Sequence, residues 1–555
     1  MAGVVAAGHE KTAEAGQEIL RAGGNAFDAA IAALLTACVA EPTLTSLGGG
    51  GFLLAHKASE SGLANGGASG DENILFDFFT QTPRSRSHCL QPEFYPIEAN
   101  FGDTVQTFHV GKASMAVPGL LAGALAAHRK LGRLPLKTVV EPAILCARSP
   151  LTVTPFQSYC YELLDSILMA TAGSRQMFAP QGMRLQAGDE LHLPQLADTL
   201  EYLAALGDEE AYRAFYEGEI AQQVVHDCEA AGGYLTLEDF RQYRVIERSP
   251  LSVNYRGVQI LTNPPPSAGG ALIAFCLELL DRFDLKAMKF GSREHLMVLS
   301  QAMRWTNVAR RSHLDNSLFD PDIAQKFVDP DLVNKYVDPL KDLLGNGFNR
   351  WGSTTHISVI DDEGNAASVT SSNGEGSSYV IPGTQIMMNN MLGEEDLNPH
   401  GFNQWPLNQR MSSMMAPTMI LKEGKPQLVL GSGGSNRIRT AILQVISNIL
   451  DFEMPLKAAV EAPRIHWENG TFHVEPGLAL GLELGSDLGE SSFVSEALAT
   501  QRVVQWQQSN MFFGGVHSVG TKRDVRGCHD GSRQIGSQQI LEGAGDSRRS
   551  GSFRG

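Results

Sequence analysis

The chain has 555 residues, 43% of them hydrophobic and 19% charged, a composition able to bury a large core. Its net charge of −17 argues against nucleic acid or an anionic membrane surface as the principal partner. Seven scattered cysteines without a CxxC pair predict reduced thiols, with neither a disulfide framework nor a cysteine zinc site.

At the N-terminus no basic segment leads into an apolar one, so no signal peptide is read and a cytoplasmic location is expected. A leader missing from this sequence would instead make the protein periplasmic or secreted. "HEKTAEAGQEILRAGG" (9–24) carries apolar residues at helical spacing and ends in Gly-Gly, a helix stop. "NAFDAAIAALLTACVAEP" (25–42) predicts a second helix, capped by Asn25 and stopped by Pro42. Its apolar run is shorter than the ~20 residues of a bilayer span and contains Asp28, which predicts a buried core helix. "TLTSLGGGGFLLAH" (43–56) then runs four glycines into an apolar strand. After a turn at 117–119 come two more helices, 120–132 and 136–148, and the region 190–250 is polar and helical. Residues 253–280 read as hairpin, proline turn and buried helix.

Near residue 350 the character changes. "THISVI" and "AASVTS" are short alternating strands joined by "DDEGN", a hairpin signal. "YVIPGTQIMMNN" (379–390), "APTMILKEGKPQLVLGSGG" (416–434) and the helix "RTAILQVISNIL" (439–450) continue a pattern in which strands predominate. The segment 521–555, rich in Gly, Ser and Arg, predicts a loose tail.

Single motifs leave the chemistry open. "SLGGGGF" is no phosphate loop, because no Gly-Lys-Ser/Thr follows and a strand comes next. "GSGGSNR" (431–437) leads into a helix, where its N–H groups make either a tight turn or an anion pocket. His356 has no partner histidine at i+2 or i+4, so no zinc site is read, and a G-x-S-x-G elbow is missing. "MSSMMAP" (411–417) sets two hydroxyls before a strand, as an ordinary loop also would.

Order along the chain is more informative. "GGNAFDAAIAALLTACVAEPTLTSLGGGGFLLAH", "VPGLLAGALAAHRKLGRLPLKTVVEPAI", "NPPPSAGGA", "STTHISVIDDEGNAASVT", "IMMNNMLGEEDL", "QRMSSMMAPTMIL", "GSGGSNRI" and "FFGGVHSV" succeed one another from near residue 5 to near 520. In this order they resemble the gamma-glutamyltransferase family of N-terminal nucleophile (Ntn) hydrolases. The resemblance implies an α+β fold, a four-layer αββα sandwich built jointly by the two halves of an autocleaved precursor. The cut would fall between Ser353 and Thr354, giving a large chain of residues 1–353 and a small chain of residues 354–555.

Such a cut has a chemical reason. A threonine hydroxyl needs an adjacent base, and an amide nitrogen is none, whereas a freed α-amine has a pKa of about 7.7–8.0. Thr354 would then be nucleophile and base together, taking the γ-glutamyl group of glutathione or a related compound and passing it to water, an amino acid or a peptide. No metal or organic cofactor is implied. Gly433 and Gly434 fall where the family places its oxyanion donors, and Ser412 and Ser413 where it holds the substrate α-carboxylate. Ser372 stands in for a usual Thr supporting the nucleophile. Where an Asn or Glu commonly binds the substrate amino group there is Gly374, flanked by Asn373 and Glu375. Glu394 replaces a usual Asp, and Met391 a usual Gln or Glu. For the arginine that clamps the α-carboxylate the candidates are Arg84 and Arg86, with His88 at the aligned distance. These departures surround the substrate's amino-acid end. They leave open an amidase for another acyl group, as in the related cephalosporin acylases, or an unprocessed binding protein.

Overall fold

Asn25 accepts from the Phe27 and Asp28 N–H groups while Asp28 accepts from the Asn25 N–H, a capping box that starts the second helix where the sequence places it. The computed structural model describes residues 2–59, 71–86, 91–100, 105–337, 353–398, 401–468, 470–478, 502–523 and 539–555. Strand β1 (Gly3–Ala7) leads into helices α1 (Glu10–Arg21) and α2 (Ala26–Ala40), every residue of α2 being buried. Strands β2 (Gly50–Lys57) and β3 (Glu72–Phe78) follow, then helices α3 (Leu120–Leu131) and α4 (Leu136–Arg148). Short β4 (Ile246–Arg248) precedes the expected hairpin, β5 (Leu251–Tyr255) and β6 (Val258–Thr262), and the buried helix α5 (Ala268–Leu280). Helix α6 (Arg293–Ala309) follows, and short helical turns continue the described chain to residue 337.

The second half begins with the hairpin β7 (Thr355–Asp361) and β8 (Ala366–Ser372). It continues through β9 (Thr418–Lys422), β10 (Lys425–Gly433), α7 (Arg437–Leu450) and β11 (Gly515–Arg523) to β12 (Gln539–Ala544) and β13 (Ser552–Arg554). Seven strands form one antiparallel sheet in the order β13-β1-β7-β8-β2-β3-β4. Six form a second, β12-β11-β10-β9-β6-β5. Helices α2 and α3 pack on the first sheet, with α1 and α4 against α2, and α5 and α7 cover the second, with α6 against α5. The layers are helices, sheet, sheet, helices, the αββα sandwich.

Period-two alternation explains the two cores. Val5, Ala7, Leu53, Ile357, Val359 and Val369 pack with α2, whereas Val4, Ala6, Phe52 and Leu54 join the second sheet's Val429, Val516 and Val519. With both faces covered, β7 is buried throughout, including its polar residues. His356 contacts the Thr370 hydroxyl at 2.8 Å and the Ser358 hydroxyl at 2.9 Å, which meets the hydrogen-bonding need of a buried imidazole between the sheets.

The loose tail expected over 521–555 is corrected where the chain is described. Residues 521–523 finish β11, β12 pairs beside it, and β13 pairs with β1 at the edge of the first sheet. Residues 524–538 lie outside the described residues. Composition records the charges of this segment but not their partners. Buried Asp546 binds Arg464 at 2.6 Å and Arg548 at 3.1 Å, and Arg548 reaches Glu475 at 2.6 Å.

Candidate active site

Thr354 immediately precedes β7, beside the end of β8, where the pairing of Ser372 with Gly50 closes the register. The end of β10 approaches from the second sheet. A Cβ on Gly433 would fall 2.1 Å from the Thr354 carbonyl oxygen, so only glycine permits this approach. Ser353, Thr354 and Ser372 border a cleft whose space between atoms is about 790 Å³, part of it open to solvent. Gly374, Glu375, Met391, Glu394, Asp396, Ser412 and Ser413 also line it.

The Ser353–Thr354 peptide is held from several sides. The Ser353 N–H donates to both oxygens of the Glu375 carboxylate, at 3.2 and 3.3 Å. Its carbonyl accepts from the Ser372 hydroxyl at 2.6 Å, and the Ser372 hydroxyl oxygen in turn accepts from the Gly374 N–H at 3.0 Å. The Thr354 carbonyl accepts from Arg549 at 3.3 Å. Next along the strand, the Thr355 hydroxyl donates to Glu41 at 2.6 Å, and Glu41 also accepts from Thr12 at 2.8 Å.

Burial shapes the charges here. The Glu41 carboxyl is pushed up to about 7 by desolvation, against the opposing pull of its two hydroxyl donors. Glu375 is also raised to about 7 by burial, restrained by its bonds to Ser353. Glu394 is also raised well above the ordinary carboxyl value, by burial and then by the nearby Glu375 charge. Burial lowers Arg549. Two adjacent buried carboxyls thus tend to hold at least one proton near neutrality.

The turn after β8 explains the Gly374 departure. Gly374 has φ +61°, and a Cβ there would meet Asn390 Oδ1 at 2.2 Å and Glu394 Oε1 at 2.9 Å. The Glu375 N–H instead donates to these two oxygens, at 2.9 and 3.3 Å, and its side chain enters the cleft. Asn373 does not enter it, its amide reaching the Met387 and Met388 carbonyls at 3.4 and 3.5 Å. Ser412 and Ser413 border the cleft together, and the Ser413 hydroxyl accepts from the Met415 N–H at 3.0 Å. Gly434, at φ +121°, begins the turn into α7, and the following Ser435 lines the cleft and donates to Asp396 at 2.7 Å.

The two expected arginines are elsewhere. The Arg84 N–H donates to Asp239 at 2.7 Å, and exposed Arg86 donates to the Trp405 carbonyl at 2.7 Å with its guanidinium 5.3 Å from the indole. Neither lines the cleft. His88 lies outside the described residues. Sequence reasoning gives no role to four polar residues at the site, Glu41, Arg310, Asp396 and Arg549, although Glu41 and Asp396 lie within the ordered stretches. Only Glu41 leaves a trace, as a carboxylate ending a buried, mostly apolar helix, where an unpaired charge would be costly. Among the described residues no group of three or more His, Cys, Asp or Glu could hold a metal ion.

Comparison with known proteins agrees with this arrangement. A sequence model described as Gamma-glutamyltranspeptidase matches residues 12–555. The chain is 31% identical to a glutathione hydrolase proenzyme of Escherichia coli (strain K12), covering 92% of this chain and 89% of that protein. It is 32% identical to the Acylase ACY 1 proenzyme of Pseudomonas sp. (strain V22), covering 86% and 84%. In fold it is similar to the crystal structure of a cephalosporin acylase from Bacillus halodurans, with TM-score 0.80 and 24% identity over 100% of this chain and 95% of that one. With a buried Thr-initiated strand at the cleft and a family match over nearly its whole length, the chain belongs to the gamma-glutamyltranspeptidase family.

Proposed function

We propose that the protein is an autoprocessing enzyme that uses Thr354 to cleave γ-glutamyl amides, glutathione among them, and passes the acyl group to water, an amino acid or a peptide. The observation that carries this reading is the Ser372 hydroxyl on the Ser353 carbonyl, at the one peptide whose cleavage would free Thr354. In the maturation step the Thr354 hydroxyl attacks the Ser353 carbonyl carbon. The peptide C–N bond breaks, the hydroxyl proton passes to the departing nitrogen, and an ester forms. Water then divides it into a chain ending in the Ser353 carboxylate and one beginning with Thr354. Negative charge that develops on the Ser353 oxygen is met by the Ser372 O–H, a donor worth about 3–4 kcal/mol in comparable sites.

In turnover the new α-amine takes the Thr354 hydroxyl proton as the oxygen attacks the substrate γ-carbonyl, and returns it to the leaving amine. The acyl ester is then resolved by the acceptor. The Gly433–Gly434 turn supplies N–H donors to the oxyanion, Ser412 and Ser413 contact the substrate carboxylate, and Glu375 and Glu394 receive its ammonium. A second reading, an amidase for a different acyl group, is favoured by the position of Arg84 and Arg86 outside the cleft and by the likeness to Acylase ACY 1.

Intact-mass analysis beside a Thr354→Ala control tests the proposal. Two masses matching 1–353 and 354–555, an uncut control and release of aniline from a γ-glutamyl anilide are expected. A single 59.9 kDa chain after long incubation would overturn it.

A further inference from the structure

The cleft is rich in carboxyl groups, with Glu375, Glu394, Asp396 and Asp315 on its walls. An anionic acyl group would be repelled there unless a cation met it. Among the described residues the lining contains one such cation, Arg310, and it comes from neither of the positions where sequence reasoning sought it. Arg310 begins a turn of π-helix, Arg310–Leu314, that follows α6. Turns of this kind re-aim side chains, because each backbone bond spans five residues instead of four.

That turn sets Arg310 and Asp315 against each other twice. The Asp315 N–H donates to the Arg310 carbonyl at 3.0 Å, and the Arg310 Nε–H donates to the Asp315 carboxylate at 2.8 Å. The guanidinium plane is thereby fixed through one edge. The bond through Nε leaves the Nη1/Nη2 edge, whose paired N–H groups match the two oxygens of a carboxylate.

We infer that Arg310 is the carboxylate clamp of this cleft, selecting acyl groups that carry a free carboxylate at the end remote from the scissile amide, such as γ-glutamyl or glutaryl. The inference rests on the proposed acyl-transfer reading. Asp315 acts through Arg310 as a positioning residue. The carboxylate is gripped by a residue of the helical layer over the second sheet, not by the loop after β3.

Three p-nitroanilides separate the contributions: γ-glutamyl, with carboxylate and ammonium; glutaryl, with the carboxylate alone; and γ-aminobutyryl, with the ammonium alone. In Arg310→Ala the ratio of kcat/KM for the glutaryl or γ-glutamyl compound to that for the γ-aminobutyryl compound should fall about tenfold or more, chiefly through KM. Arg310→Lys should recover part of the ratio, and Asp315→Asn should lower it less than Arg310→Ala. An unchanged ratio in a wild-type-like, active Arg310→Ala protein would overturn the clamp alone. If Arg310→Ala fails to fold, the Arg310→Lys and Asp315→Asn ratios decide, and unchanged values in both overturn it. A wild type that cuts itself but releases p-nitroaniline from none of the three would overturn the substrate reading and the clamp together.

Discussion

Ser372 serves two backbone groups with one oxygen, donating to the Ser353 carbonyl and accepting from the Gly374 N–H. Alanine at this position removes the donor while leaving β8 paired, since the strand's ladder is made by backbone groups. Ser372→Ala should therefore slow the cut at Ser353–Thr354 by about 10²-fold, the typical loss of one oxyanion donor. Ser372→Thr, which keeps the hydroxyl, should stay near wild type. The fraction of cut chain followed by mass over time is the measurement, and equal rates for Ala and wild type would remove Ser372 from the step. The positions of Thr354, Ser412 and Ser413 are legible in sequence because each sits in a short ordered motif, and that of Ser372 because it follows one at a fixed distance. Glu41 is not, because its bond to Thr355 spans 314 positions. The same holds for Arg549, whose contact with Thr354 spans 195. Arg84 and Arg86 fit by position along the chain, but neither lines the cleft: the Arg84 backbone N–H is tied to Asp239 and the Arg86 guanidinium to the Trp405 carbonyl.

Periodicity recovers whole elements well where one face is buried. Helices α1 to α4 and the β7–β8 hairpin appear within a residue or two of their expected bounds. The C-terminal segment defeats it, because Gly, Ser and Arg carry no apolar period and the order there comes from ion pairs. Asp546 is buried between Arg464 and Arg548 and also accepts from the Val516 N–H at 2.8 Å, tying β12 and β13 to β11. Asp546→Ala leaves two buried guanidiniums short of a partner, a change that costs about 3–5 kcal/mol where such pairs have been broken. Urea unfolding should show a loss of that order. Because Arg549 is only three residues further on and holds the Thr354 carbonyl, the variant should also process slowly. Full stability would mean that the tail strands are held by their backbone pairing alone.

At the scale of the molecule, the first sheet interleaves the two sides of the Ser353–Thr354 bond. From β13 to β4 its strands come from after, before, after, after, before, before and before the bond, so a cut chain keeps every strand partner. The two pieces should co-elute as one particle under native conditions and separate only in denaturant. The buried titratable groups then set how that particle responds to acid. His9, His295, His466 and His517 are each lowered to about 4, and His473 to about 3, with burial the largest cause throughout. Their unfolded forms take protons near 6.5, so between about pH 6.5 and 4 the unfolded chain binds more protons and stability is lost as pH falls. Glu41 and Glu375 act in the opposite sense. Raised to about 7, they contribute stability below their unfolded value of 4.5 that disappears as pH rises through 7, and Glu394, raised by burial and by Glu375, acts in the same direction. The imidazoles outnumber them, and Glu468, lowered to about 2 with His466 as its leading favourable partner, adds a further loss in strong acid. The urea midpoint at pH 5.0 should accordingly lie below that at pH 7.5. A midpoint that rises on acidification would show that the cleft carboxyls, not the buried histidines, govern the stability of the fold.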